Sequence, residues 1–136
     1  MKEKIVLSAR VGSIPSAVEF VVGYLRNNNV VDSCADKMAI VVDEIFSNIA
    51  SYAYKDEAED VTISCSYVDS SREFTITFVD TGSEYNPLNT PEPDVTLPLE
   101  RRKIGGLGVF IVKKFMDKLI YKRKGNENVL ILKKKF

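Results

Sequence analysis

The sequence predicts an α+β fold: a two-layer sandwich with three helices packed on one face of a mostly antiparallel five-stranded sheet. Three observations lead there. Apolar residues recur at helical spacing in three stretches and alternate at strand spacing in others. The later strands come as hairpins joined by short turns. The chain also lacks the regular strand–helix–strand alternation of a parallel sheet. Its 136 residues are expected to form one domain spanning 1–136.

Lys4 to Val11 reads as a first strand, ended by Gly12. Ser13 stands where a helix cap belongs, and Pro15 fits the first turn of a helix from about Ser16 to Asn28. Val18, Val21, Val22 and Leu25 give that helix one apolar face. Asp32 or Ser33 starts a longer helix reaching about Tyr54, with Ala35, Ala39, Val42, Phe46, Ile49 and Ala53 at alternating spacings of four and three. Val61, Ile63, Cys65 and Tyr67 then sit two apart, as do Phe74, Ile76 and Phe78. Asp69-Ser70-Ser71-Arg72 between them makes an antiparallel hairpin.

From Thr81 to Lys103 the pattern is lost. Four of the five prolines (Pro87, Pro91, Pro93 and Pro98) fall here. So long a structureless stretch inside a compact domain is expected only where it serves as a functional lid, placed at about 81–104. A third helix follows from about Gly106 to Asp117, with Val109, Val112 and Met116 on one face. The chain closes with strands Leu119 to Lys124 and Asn128 to Lys135 around a turn at Gly125-Asn126.

Composition narrows the chemistry. At 45% hydrophobic and 28% charged, the chain is ordinary for a globular protein. No apolar run approaches the ~18 residues of a membrane span, and Met-Lys-Glu-Lys lacks the apolar core of a signal peptide. The expectation is a cytoplasmic protein with no membrane partner. Cys34 and Cys65 lack metal-like spacing and read as small buried apolar residues. With no histidine, the chain cannot run a Ser-His-Asp triad, a His-ligated metal site or a phosphohistidine relay on itself. Any general base is a carboxylate, or failing that a lysine or tyrosine.

Net charge is zero, yet unevenly spread. Arg101 to Phe136 holds 12 Lys/Arg against 2 Asp/Glu, and the rest of the chain holds 7 against 17. A basic end suits nucleic acid, phosphate or an acidic partner, and equally a lysine-rich edge strand that resists aggregation.

Three segments could carry chemistry. Glu44 and Asn48, four apart on the long helix, share a face roughly 6 Å apart. A carboxamide oxygen can hold magnesium that keeps its other ligands as waters and phosphates, while the carboxylate beside it accepts a proton. A solvated polar stripe has the same spacing. Asp80-Thr81-Gly82 ends the second hairpin strand. There a carboxylate can meet an exocyclic amine while the glycine admits a flat ring, although Asp and Gly also make plain turns. Gly105-Gly106-Leu107-Gly108 opens the third helix. Uncovered N–H groups at the positive end of the dipole suit phosphate, and flexible linkage is the alternative. The segment is neither a Walker A loop nor a dinucleotide fingerprint. What is specific is their order: polar helix face, strand-end Asp-x-Gly, proline-rich lid, then glycines opening a helix.

At these residues the sequence resembles the GHKL, or Bergerat-fold, ATPase superfamily of histidine kinase-like ATPases, and within it the small anti-sigma-factor serine/threonine kinases. Asp43 through Tyr54 is similar to their N box. Asp80-Thr81-Gly82 through Tyr85-Asn86-Pro87-Leu88 is similar to the first glycine box, and Ile104 through Val112 to the second. Asn128-Val129-Leu130-Ile131-Leu132 fits the last strand. The resemblance implies ATP and magnesium as cofactors, with Glu44 as catalytic base, Asn48 as magnesium ligand and Asp80 as reader of the adenine amine. It implies Gly82 in support of the adenine pocket, Gly105, Gly106 and Gly108 at the phosphates, and Tyr85, Asn86 and Leu107 as further cofactor-binding residues. Arg101, Arg102 and Lys103 become candidates for the γ-phosphate or an acidic partner. Position 52 is tyrosine where many relatives have histidine.

The activity so implied is transfer of the ATP γ-phosphate to Ser or Thr of an anti-anti-sigma-like partner by a bacterial regulator of transcription that also meets a sigma factor. Homodimerisation stays open, since no dimer face is legible. A nucleotide-dependent binding module without transfer is the alternative. A nucleic-acid binder using the basic end is less supported, because no reading motif is present.

Overall fold

The computed structural model describes residues 2–53, 59–89 and 106–136. Its elements are β1 (Lys2–Ser8), α1 (Ile14–Asn27), α2 (Asp32–Asn48), β2 (Asp60–Val68), β3 (Glu73–Asp80), α3 (Gly106–Phe115), β4 (Lys118–Lys124) and β5 (Glu127–Lys135). All strand pairs are antiparallel, in the order β1-β2-β3-β5-β4. The expected α+β sandwich is therefore the architecture, with hairpins β2–β3 and β4–β5 where the alternation placed them.

The ends of several elements differ from expectation. The first strand stops at Ser8, and Val11–Ser13 forms a 3-10 turn leading into α1. Pro15 lies in the first turn as expected. Ser13 holds the cap position without capping by its side chain, because its own backbone is already helical (φ −86°, ψ −10°). The long helix leaves α geometry at Asn48, and Ile49–Ala53 winds as a π-helix. Its apolar period continues through the change, so spacing alone could not reveal it.

One face of the sheet carries the core. Val61, Ile63 and Cys65 of β2, Phe74, Ile76 and Phe78 of β3, and Leu130 and Leu132 of β5 alternate inward and are buried. Against them α1 buries Ala17, Val21, Tyr24 and Leu25, so its inner face is turned slightly from the one read off the sequence. α2 packs against both α1 and α3. It buries a wide arc (Ala35, Met38, Val41, Val42, Ile45 and Phe46), whereas Ala39 is only partly buried. Val109, Val112 and Met116 are buried as expected. Burial pushes the Cys65 thiol up to about 12, which leaves it an inert apolar group at neutral pH.

β4, with sequence KLIYKRK, is an edge strand. Exposed lysines along an edge oppose pairing with another chain. Two lysines of β5 have partners: Lys133 with Glu73 at 3.8 Å and Lys134 with Asp117 at 3.5 Å. The basic end thus contains the lysine-rich edge that one reading of the sequence foresaw.

Candidate functional site

At one end of the sheet the inward row turns polar. Asp80 is the last residue of β3 and lies directly opposite Asn128 of β5, which in turn faces Arg123 of β4. Among the described residues the buried polar side chains are Asp80, Asn128 and Asn48, at 2%, 4% and 6% exposure. Burying polar groups costs free energy unless they are bonded, so three together mark a place built for something other than packing.

Asn128 organises this end. Its Nδ2 donates to Asp80 Oδ1 at 3.0 Å and to the Ser83 carbonyl at 2.8 Å. Its Oδ1 accepts from the Tyr85 backbone N–H at 3.2 Å, the Tyr121 hydroxyl and Arg123 Nη1. Arg123 also donates to the Gly82 carbonyl at 2.8 Å. The chain after β3 is thereby tied to the β4–β5 hairpin. Asn128 is the site residue that sequence reasoning missed as such. It could be found only through the register that sets it against Asp80.

Asp80 Oδ1 accepts a second bond from the Gly82 N–H at 2.9 Å, a short turn that Gly82 closes within the buried layer. Both bonds use Oδ1, and Oδ2 has no hydrogen bond among the described residues. Burial holds the Asp80 carboxyl above the usual range, opposed by the bonds from Asn128 and Gly82 and by the Arg123 charge.

Asn48 joins the two halves of the site. With Asp80, Ile49, Tyr85, Tyr121 and Asn128 it lines a small cleft enclosing about 10 Å³, room for roughly one water. Its Nδ2 donates to Glu44 Oε1 at a long 3.5 Å, so the helical spacing does place these side chains side by side. The carboxamide oxygen of Asn48 makes no hydrogen bond among the described residues, which suits a hard oxygen-seeking cation. Glu44 is partly buried. Desolvation pushes its carboxyl up, with the Asn48 bond working against this and the Asp43 charge adding to it.

Gly108 does something the sequence did not suggest. A Cβ built on it would overlap the whole carboxyl group of Glu44. The missing side chain is thus where the Glu44 head sits, at the start of α3. Gly106 and Leu107 open the same helix.

Asn86, expected as a nucleotide-binding residue, is not in the cleft lining. Asn86 Oδ1 accepts from the Leu88 N–H at 2.9 Å and supports the 3-10 turn Pro87–Asn89. Pro87, next to it, reaches the cleft lining. Gly105, Arg101, Arg102, Lys103 and the lid beyond Asn89 lie outside the described residues, as does the Tyr52 side chain.

Comparison with known proteins identifies the family. Residues 7–134 match the family described as "Histidine kinase-like ATPase domain". The serine/threonine-protein kinase BtrW of Bordetella bronchiseptica is 27% identical over 95 residues, covering 70% of this chain; the chain spans 66% of that relative's length. The solved RsbU and RsbW domains of Rv1364c from Mycobacterium tuberculosis share the fold, with a TM-score of 0.71 at 9% identity over 99% of this chain and 32% of that one. A histidine kinase domain of the blue-light activated kinase of Erythrobacter litoralis matches with a TM-score of 0.53 at 16% identity, over 92% of this chain and 58% of that one. With the family model matched over residues 7–134, and with Asn48 and Asp80 lining one cleft, the chain belongs to the histidine kinase-like ATPase domain family.

Proposed function

We propose that the chain binds ATP at this cleft and transfers its γ-phosphoryl group to a serine or threonine of a partner protein. The observation that carries the reading is the convergence of Asn48 and Asp80, from a helix and a distant strand, on one lining beside Glu44. A family of ATPases and a relative named a serine/threonine-protein kinase support it.

Each residue has a task its chemistry suits. Asp80 Oδ2 accepts the exocyclic amine of adenine, while Gly82 and Tyr85 bound the ring. Asn48 offers its carboxamide oxygen to magnesium, which when bound neutralises phosphate charge. The N–H groups opening α3, at Gly106, Leu107 and Gly108, face the phosphates with the positive end of the helix dipole. Glu44 accepts the proton of the attacking hydroxyl; its raised carboxyl is a stronger base than an ordinary one. Phosphoryl transfer rests mainly on positioning and charge, so this sparse equipment suffices. The partner class follows the family resemblance: an anti-anti-sigma-like phosphoacceptor, with a sigma factor as the regulated protein.

The test is incubation with γ-labelled ATP and the proteins encoded beside this chain's gene. Labelled phosphoserine or phosphothreonine on one of them is expected. Glu44→Ala is expected to keep ATP binding by calorimetry and lose roughly 100-fold or more of the transfer rate. Nucleotide-dependent capture with no labelled product would replace the kinase by a binding module, and absence of ATP binding would end both readings.

A further inference from the structure

Between α2 and α3 runs a groove that the site above does not use. It encloses about 370 Å³, and its walls are chiefly Ile40 from α2 and Phe110, Ile111 and Phe115 from α3. Ile40 is 55% exposed and Ile111 44%. Large aliphatic side chains left open side by side mark a contact surface more often than chance exposure.

Its rim is cationic. Lys37 and Lys114 line it, and no carboxylate does among the described residues. Lys37 Nζ lies 5.8 Å from the Phe115 ring centre and Lys114 Nζ 5.2 Å from that of Phe110. Lys134 of β5 also sits over Phe115, at 4.7 Å, and is paired with Asp117. Neither Lys37 nor Lys114 has an ion pair among the described residues. Aromatic faces offset a lysine charge only modestly and leave it able to meet an anion.

The groove also has a direction. Lys37 meets Phe115 while Glu44 meets Gly108, so the two helices run antiparallel. Lys37 precedes Glu44 by two helical turns, roughly 10 Å along the axis. The groove therefore runs along α2 toward the end of the helix that bears Glu44.

We propose that this groove docks the phosphoacceptor protein through an acidic amphipathic helix. Its apolar side chains seat between Ile40, Ile111 and Phe110, and its Asp or Glu residues meet Lys37 and Lys114. Helix-in-groove recognition reads such spaced apolar anchors, with charge setting the partner's register. The assignment rests on the kinase reading for the identity of its occupant, and not for the existence of the contact.

The test uses a labelled 18-residue amphipathic peptide of Leu and Glu, with a Leu and Lys peptide of equal length as control, read by fluorescence anisotropy. The Leu/Glu peptide is expected to bind and the Leu/Lys peptide to bind at least ten-fold more weakly. A K37E/K114E double variant is expected to reverse that preference, which a misfolded chain could not do, and to leave ATP affinity unchanged. Any phosphoacceptor found with γ-labelled ATP is expected to show a KM raised about ten-fold by the same variant, with kcat kept. Equal binding of both peptides, or no reversal, overturns the proposal. So does binding only after deletion of residues 90–105, which would make the chain's own segment the occupant. A wild-type dimer that Ile111→Glu converts to monomer would make a second copy the occupant. ATP binding and transfer are scored separately, so loss of transfer with charge-dependent docking intact refutes the kinase reading alone.

Discussion

Asp80 joins a proposed role to a cost in stability. Desolvation raises its carboxyl in the folded chain above the unfolded value of about 3.9. In that window the folded state holds more proton than the unfolded one, so stability falls as pH rises through it, and the ionised group opposes folding at neutral pH. Asp80→Asn removes that charge and keeps an Oδ1 to accept from Gly82 and Asn128. The substitution is therefore expected to hold or raise the thermal midpoint at pH 7. The new NH₂ faces the adenine amine, donor against donor, and a mispaired buried group costs roughly 1–3 kcal/mol. ATP affinity is expected to drop about ten-fold, read by calorimetry. A lowered midpoint with unchanged affinity would remove Asp80 from the adenine role.

Gly108 was legible in the sequence only as one of a run of glycines. Its closeness to Glu44 depends on the packing of α2 on α3, which no local pattern encodes. Because the overlap in Gly108→Ala falls on the end of a flexible side chain, the fold is expected to absorb it with little change in midpoint. The displaced carboxylate is expected to slow transfer roughly ten-fold or more. The acid limb of the rate profile should also shift toward lower pH as Glu44 gains solvent. An unmoved acid limb at wild-type rate would show that the Glu44 seat is irrelevant to transfer.

The elements differ in how plainly the sequence announced them. The β2–β3 hairpin was legible because its alternation and its polar turn agree. The π-helical Ile49–Ala53 was not, since the single four-residue step from Ile49 to Ala53 fits α and π windings alike. π turns inside helices recur at functional sites, and this one begins directly after Asn48. The β4–β5 hairpin was legible as strands but not as part of the site, because the role of Asn128 depends on cross-strand register. Asn128→Ala would strip bonds from Asp80, Ser83, Tyr85, Tyr121 and Arg123 at once. The expected outcome is a loss of roughly 1–3 kcal/mol in denaturant unfolding and weaker ATP binding. Full stability with normal binding would show that the strand-end network is dispensable.

Across the whole molecule, sequence periodicity captured the layers because an α+β sandwich sorts apolar residues by simple rules: one stripe per helix, one face per strand. The site was legible in part. Glu44 and Asn48 share a helix, and helical spacing predicts their neighbourhood directly. Asp80 and Asn128 meet only through sheet order, and the bond from the Leu88 N–H to Asn86 could not be read from spacing. Where long-range register decides, local pattern has no purchase.

The narrow space between Asn48 and Asp80 has a consequence for regulation. A hollow with room for about one water is smaller than a purine, so on the proposed reading nucleotide binding requires the lining around Tyr85 and Pro87 to open. Apparent affinity is then the intrinsic affinity scaled by the fraction of molecules that have opened. A protein that favours the opened form tightens nucleotide binding without touching it, and nucleotide strengthens that protein's grip by the same factor.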